Sequence, residues 1–299
     1  MSNSTSNRLC VITGATAGIG RASALALAAL GFDLILLGRS ERRGKRLQDS
    51  LSRRHRTGRF EYVPCDLSSF GSVREAAKRI HEDRSNIDVL INNAGARFDR
   101  YEESVDGFEL TFATNHLGHF LLTSLLLDRI LETRDARIVT LSSQRHRYVE
   151  HVKTWLATRE SFDRWDVYSK TKLANTLFAF ELARRLQTAL VLSNAVDPGI
   201  VASKFARNNG PIAWTKHIVW NLIHRQLISC AHAAQTVVYA AASQEAKGKT
   251  GKYFYEQSEA KPSALALDAG LARQLWKCSL EWTGLNRKNC PAWAIVGMD

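Results

Sequence analysis

Short apolar runs alternate with longer stretches of helical period from the start of the chain. Leu9–Thr13 is almost uniformly apolar, stops at a glycine, and gives way to an Ala/Leu-rich helical pattern over 19–30. The alternation then repeats. Strands are predicted at 33–37, Phe60–Pro64, 87–91, Arg137–Leu141, 190–195 and 251–255, with helices opening near Ser40 and over 73–84, 108–131 and 167–186. Runs that are apolar throughout, rather than at every second residue, belong to strands buried on both faces. Strict β-α alternation builds a parallel sheet with helices on both sides. The pattern predicts an α/β fold, a doubly wound parallel sheet of about seven strands. No repeat, low-complexity tract or linker divides the 299 residues, which are read as a single domain.

Composition narrows the class only a little. Hydrophobic residues make up 45% and charged residues 23%, which excludes disordered and fibrous chains. The five cysteines are scattered, odd in number and free of any Cys-x-x-Cys pair. Neither a disulfide framework nor a zinc knuckle is indicated, and a reducing, cytoplasmic location is expected. Residues 1–8 are polar, and no apolar run along the chain has the length of a signal core or a transmembrane span. The net charge of +12 is concentrated: nine of the 41 Lys and Arg residues lie between Arg39 and Arg59. Such a stretch is either a solvated basic helix or a field that draws a polyanionic cofactor. It lacks interleaved aromatics and any recognition motif, so nucleic acid is not an expected partner.

The candidate chemistry begins at the first turn. Thr13-Gly14-Ala15-Thr16-Ala17-Gly18-Ile19-Gly20 joins the first strand to the first helix. A doubly wound sheet holds a pyrophosphate at this place, against the free N–H groups of the helix. The glycines permit the tight turn and close approach, and Gly14, Thr16, Ala17, Gly18, Ile19 and Gly20 are the expected contacts. The second strand ends Leu37-Gly38-Arg39-Ser40, with no carboxylate at its tip, and Asp33 lies at the opposite end. An acidic residue at that tip would bond the ribose hydroxyls of NAD, whereas an arginine accommodates a 2′-phosphate. Arg39, with Arg42 or Arg43 as helpers, points to NADP(H).

Further motifs follow at successive strand ends: Asp66-Leu67, Asn92-Asn93-Ala94-Gly95, Ser142-Ser143, Tyr168-Ser169-Lys170-Thr171-Lys172 and Asp197-Pro198-Gly199. With the glycine turn they span 13–199, and the chain resembles the short-chain dehydrogenase/reductase family. Asn115-His116-Leu117-Gly118-His119-Phe120 and Lys172-Leu173-Ala174-Asn175 are similar to its retinol-dehydrogenase-like branch. The resemblance implies a Rossmann-type sheet and a catalytic group of Asn115, Ser143, Tyr168 and Lys172. It also adds Asp66, Leu67, Asn92, Asn93, Ala94, Gly95, Tyr168, Lys172, Pro198, Gly199 and Val201 to the cofactor contacts. Asp66 would lie by the adenine, though a turn residue is the alternative.

The chemistry is coherent with those residue types. Carbonyl reduction needs a proton on oxygen, and a phenol of pKa about 10 is a poor base at neutral pH. Lys172 follows Tyr168 by four residues, on one helical face, and an ammonium there is expected to lower the phenol's pKa. By the resemblance, Lys172 also bonds the nicotinamide ribose, Ser143 polarises the substrate oxygen and Asn115 holds a relay water. The interval from Ser143 to Tyr168, 25 positions, is longer than the plainest family pattern and contains the charged run Arg145–His151. Ser142 remains the alternative to Ser143.

The reading is therefore an NADP(H)-dependent oxidoreductase acting on the carbonyl/alcohol pair of a bulky hydrophobic substrate. A non-catalytic NADP(H) sensor or scaffold, and a C=C reductase, are the alternatives on the same fold. His116 and His119 are helical neighbours without a third ligand, so packing is expected and no metal. The helix 173–186 is apolar nearly all round; one face covers the sheet, and the other meets a second subunit, as in family dimers, or is simply buried. Residues 200–228, carrying Trp214 and Trp220 among Lys216 and Arg225, are read as a substrate lid. A packed helix, or a surface in peripheral contact with a membrane, is the alternative. The tail 284–299 has no assigned role.

Overall fold

The computed structural model describes residues 7–83, 86–201 and 228–292. Its centre is one sheet of strands β1 (Leu9–Thr13), β2 (Asp33–Gly38), β3 (Phe60–Pro64), β4 (Val89–Asn92), β5 (Arg137–Leu141), β6 (Leu192–Asp197), β7 (Tyr253–Tyr255) and β8 (Ser258–Glu259). They run in the order β3-β2-β1-β4-β5-β6-β7-β8. All pairings are parallel except β7–β8. Every residue of β1, β4, β5 and β6 is buried, as expected for strands covered on both faces. One apolar core lies on each side of the sheet.

The strand order reverses between β1 and β4. In an open α/β sheet the crevice beyond the carboxyl ends of such strands is where a ligand binds. Helices α1 (Gly18–Ala29), α2 (Glu41–Arg54), α3 (Phe70–Asp83), α4 (Leu110–Phe112), α5 (Gly118–Leu131), α6 (Arg164–Arg185), α7 (Cys230–Ala242) and α8 (Ala269–Trp282) flank the sheet. The helix expected over 108–131 is not continuous. Glu109 caps it, accepting from Thr111 N–H (2.9 Å) and Phe112 N–H (2.7 Å), and a π-helical turn, Ala113–Leu117, separates α4 from α5. Gly118 follows because a Cβ there would stand 2.2 Å from the Leu67 carbonyl oxygen.

The sheet has one strand more than expected. β8 returns along β7 through Glu256 and Gln257, both at positive φ (48° and 60°). Two left-handed residues are what a two-residue hairpin turn needs, usually supplied by Asn or Gly; here neither is present to announce it.

The outer faces of α5 and α6 are covered within the chain. Trp276 of α8 stacks on Phe178 of α6 (5.7 Å, 18°) and meets Phe120 of α5 edge-on (5.0 Å). The described part of the tail also packs down: Leu285, Cys290 and Ala292 are buried against the same core. Residues 202–227, most of the expected lid, and 293–299 lie outside the described residues.

Candidate active site

The turn after β1 is shaped by what surrounds it. Gly14 and Gly18 have φ of +64° and +56°, a region that L side chains enter only at a cost. A Cβ on Gly20 would lie 2.4 Å from Asn93 Nδ2 and 2.5 Å from the Gly14 carbonyl oxygen. Ala17 caps α1 with no side-chain hydrogen bond, and no acidic residue occupies the first turn. The first amides of α1 are thus left for an incoming acceptor, the donor set a pyrophosphate requires.

Asn92 and Asn93 brace this cradle. Asn93 Nδ2 donates to the Thr13 carbonyl (2.7 Å), and the Asn93 and Ala94 amides donate to Thr13 Oγ1 (2.9 and 3.0 Å). Asn92 Nδ2 donates to Thr123 Oγ1 (2.9 Å). His119 completes the brace. Its Nδ1–H donates to the Asn115 carbonyl (3.0 Å), so Nε2 accepts from the Thr13 hydroxyl (2.9 Å). Burial holds the His119 pKa down to about 4, which keeps the ring neutral and this polarity fixed. His116, lowered to about 3 by burial, bonds Ser279 of α8 (2.9 Å). Both histidines join elements of the fold.

At the tip of β2, Arg39 is exposed and Ser40 begins α2, with Arg42 and Arg43 exposed in its first turn. The one acid there, Glu41, is held by Lys45 at 2.6 Å. Asp33 is remote, accepting from Asn7 Nδ2 and the Arg59 amide at the start of β2. Asp66 accepts from the Ser68 amide (3.0 Å) and hydroxyl (2.7 Å) through Oδ1, so a turn role is present whatever else it does. Leu67 is buried beside it.

Tyr168 and Lys172 lie on one face of α6, both buried, with the lysine ammonium 5.6 Å from the phenol ring centroid. Asp163 starts that helix by accepting from the Trp165 (2.9 Å) and Asp166 (2.8 Å) amides, a cap worth about 1 kcal/mol. The two serines after β5 part company. Ser142 Oγ donates to the Lys172 carbonyl (2.9 Å) and contacts Thr176 Oγ1 (2.8 Å). Ser143, by contrast, acts on the Tyr168 phenol, favouring its charged form. Ser143 is held from behind by His146, whose Nδ1–H donates to its carbonyl (2.7 Å) while Nε2 accepts from the Ser263 amide (3.0 Å). The charged run after Ser143 is therefore partly structural, a 3-10 turn over Gln144–Tyr148 with His146 buried.

Asn115 sits in the π turn. Its Oδ1 accepts from the Ala96 amide (2.7 Å), and its Nδ2 donates to the Ala96 carbonyl (2.8 Å) and Thr171 Oγ1 (3.1 Å). A Cβ on Gly95 would lie 3.5 Å from Asn115 Oδ1 and 3.6 Å from Lys172 Nζ, so these groups surround one small space. Asn115, Ser143, Tyr168 and Lys172 are thus brought together at the carboxyl ends of β4 and β5. Pro198, Gly199 (φ +77°) and Val201 follow β6.

Burial is the largest influence on Tyr168 and pushes its phenol well above the ordinary value; Asp197 adds to this, and the Ser143 hydroxyl, Arg97 and Arg145 oppose it. Lys172 is itself pushed down to about 8 by burial, with Asp197 holding it up, and Nζ donates to the Leu141 carbonyl (3.2 Å). Asp197 has no counterpart among the expected site residues. It is buried, accepts from the Gly199 amide and the Tyr253 hydroxyl (2.9 Å each), and is raised by its burial. Its proximity to Lys172 was hidden by distance along the chain. A buried phenol acted on by a serine hydroxyl is an arrangement able to hand a proton to an oxygen.

The short chain dehydrogenase family model matches residues 8–212. Polyprenol dehydrogenase of Mus musculus is 38% identical over 285 residues, covering 93% of this chain and 84% of that protein. Retinol dehydrogenase 14 of Homo sapiens is 36% identical over 289 residues, with 92% and 86% covered. The solved structure of an uncharacterized protein from Mycobacterium Paratuberculosis is 33% identical, has a TM-score of 0.70, and aligns over 93% of this chain and 94% of its own. The motif order, the sheet and these relatives agree: the chain belongs to the short chain dehydrogenase family, in its retinol-dehydrogenase-like branch.

Proposed function

We propose that this chain is an NADP(H)-dependent oxidoreductase that interconverts a carbonyl and an alcohol on a bulky hydrophobic substrate, with Tyr168 as acid and base. The observation that carries the reading is the buried Tyr168 phenol, one helical turn from Lys172 and acted on by Ser143, at the carboxyl ends of the central strands beside the glycine cradle. When bound, the dinucleotide supplies or accepts the hydride. Tyr168 delivers the proton to the substrate oxygen in reduction and removes it in oxidation, while Ser143 holds that oxygen. Lys172, between the Leu141 carbonyl and Gly95, binds the nicotinamide ribose and returns the proton to Tyr168. Asn115 fixes Ala96 and, through it, the wall of that space. A relay water at Asn115 is part of the same reading.

The cofactor is held by Gly14, Thr16, Ala17, Gly18, Ile19 and Gly20 at the pyrophosphate and by Asp66 and Leu67 at the adenine. Asn92, Asn93, Ala94 and Gly95 form the floor, and Pro198, Gly199 and Val201 lie beside the nicotinamide. The whole chain acts as one domain with residues 200–228 as its lid. The bulky hydrophobic substrate is supported by the relatives, which are named as dehydrogenases of a polyprenol and of retinol. A cytoplasmic setting is part of the same reading. Among the described residues, no helix is long and apolar enough to cross a membrane; peripheral contact through the lid is compatible with the basic charge.

NADP(H) over NAD(H) is supported by the exposed Arg39, whose only acidic neighbour in sequence, Glu41, is already paired with Lys45. Arg39→Asp is expected to weaken NADPH by tenfold to more than a hundredfold, since a lost charge-assisted bond is worth about 1.5–3 kcal/mol. NADH should change much less. Dissociation constants for both cofactors check this; a wild type that binds NADH as tightly as NADPH contradicts it.

A further inference from the structure

The rim of the site carries more positive charge than the proposed chemistry uses. Trp165 precedes Tyr168 by one helical turn and is 38% exposed. Two guanidiniums lie over its ring, Arg97 at 4.0 Å and Arg145 at 4.7 Å, and Arg145 also lies 4.4 Å from the Tyr148 centroid. Both are anchored beside the reacting group. Arg97 directly follows Ala96, which Asn115 clamps through both its amide and its carbonyl. Arg145 is two residues from Ser143, and its amide donates to Ser143 Oγ (3.3 Å).

The two cations are compensated differently. Asp99 bridges Arg97 (3.1 Å) and Arg164 (3.4 Å). Arg145 makes no ion pair among the described residues, and its buried Nε has no hydrogen-bond partner there. The other acids of the rim are engaged elsewhere. Asp163 caps α6, Asp166 pairs with Lys170 (2.8 Å), and Glu103 accepts from the Tyr101 hydroxyl (2.8 Å). Arg97 is only 7% exposed. Asp99 supplies an anion to Arg97 in that dry place, whereas none among the described residues pairs with Arg145 beside it.

We infer that Arg97 and Arg145, aligned on Trp165, bind an acidic group, carboxylate or phosphate, carried by the substrate close to its reacting carbonyl. This rests on the oxidoreductase reading and narrows its substrate to an apolar body bearing an anion. The planar forks of two arginines suit the oxygens of such a group, while Trp165 offers an apolar face to the adjoining carbons. An anion there sits beside the oxygen that Tyr168 and Ser143 address, so it orients the carbonyl as well as adding affinity.

Aryl ketones carrying a carboxylate one to four carbons from the carbonyl, each compared with its methyl ester, test this with NADPH as cofactor. For at least one length the acid should be preferred in kcat/KM by about tenfold or more, as expected for a charge-assisted contact. Arg145→Gln should remove that preference through KM, Arg145→Lys should keep part of it, and NADPH affinity should hold. Esters preferred at every length, or an acid preference that survives Arg145→Gln, overturns the inference. A second arm needs no turnover: 2-naphthoate and 2-naphthamide are titrated into the NADPH-bound protein by calorimetry. Tighter naphthoate binding that Arg145→Gln abolishes supports the anion site, and equal binding of the two overturns it. Naphthoate selectivity without turnover of any ketone would overturn the oxidoreductase reading and leave the anion site standing.

Discussion

Tyr168→Phe is expected to fold, to bind NADPH as the wild type does, and to lose turnover by about a hundredfold to ten-thousandfold, the usual contribution of a positioned proton donor. The substitution removes one hydroxyl while keeping the buried ring that packs near Lys172. Burial leaves the phenol protonated at neutral pH. Carbonyl reduction, which needs that proton, should therefore hold level through neutral pH, and alcohol oxidation, which needs the phenolate, should climb as the pH rises. Initial rates in both directions across pH check this. Turnover in Tyr168→Phe within a few-fold of the wild type, or oxidation that falls steadily with rising pH, would count against Tyr168 as the proton carrier.

The largest loss of stability is expected from α8. Trp276 is 2% exposed, stacked on Phe178, in edge contact with Phe120, and covered by the Arg185 guanidinium at 4.5 Å. Trp276→Ala should cost about 3–5 kcal/mol through lost burial and the cavity left behind. For a chain of this size that lowers the thermal midpoint by roughly 5–15 °C. It should also expose the apolar faces of α5 and α6, so the variant is expected to self-associate on warming. Urea denaturation and light scattering read the two effects. A change below about 1 kcal/mol would mean that α8 is not the cover that the packing indicates.

The sheet was legible because its strands are apolar at every position, and the site was legible because its motifs fall at strand ends. What could not be read has local causes. The π turn that sets Asn115 apart has no composition of its own; Ala113–Leu117 continues the helical period on both sides. The β7–β8 hairpin turns through Glu256-Gln257, where a glycine or asparagine would have signalled it. Strand β6 starts at Leu192 rather than 190 because Leu190 is in the left-handed region (φ 56°) and half-exposed. Helix α8 does carry a buried stripe, Ala272, Leu275, Trp276 and Ser279, but Leu271, Leu280 and Trp282 lie off it and blur the period. The pairing of Tyr168 with Lys172 was a local reading of two residues four apart. The distant residues Arg97, Arg145 and Asp197, which also act on the phenol, are invisible to any spacing rule.

The central claim is hydride transfer to a carbonyl carbon, and isotope transfer measures it directly. The protein is incubated with NADPH carrying deuterium at the transferable nicotinamide position and a panel of apolar and acidic carbonyl compounds, and the products are read by mass spectrometry. The account predicts an alcohol with one deuterium on the carbinol carbon for at least one compound, formed by the wild type and nearly absent with Tyr168→Phe. NADPH binding with no deuterium in any product across the panel, or equal deuterium transfer by Tyr168→Phe, would contradict it.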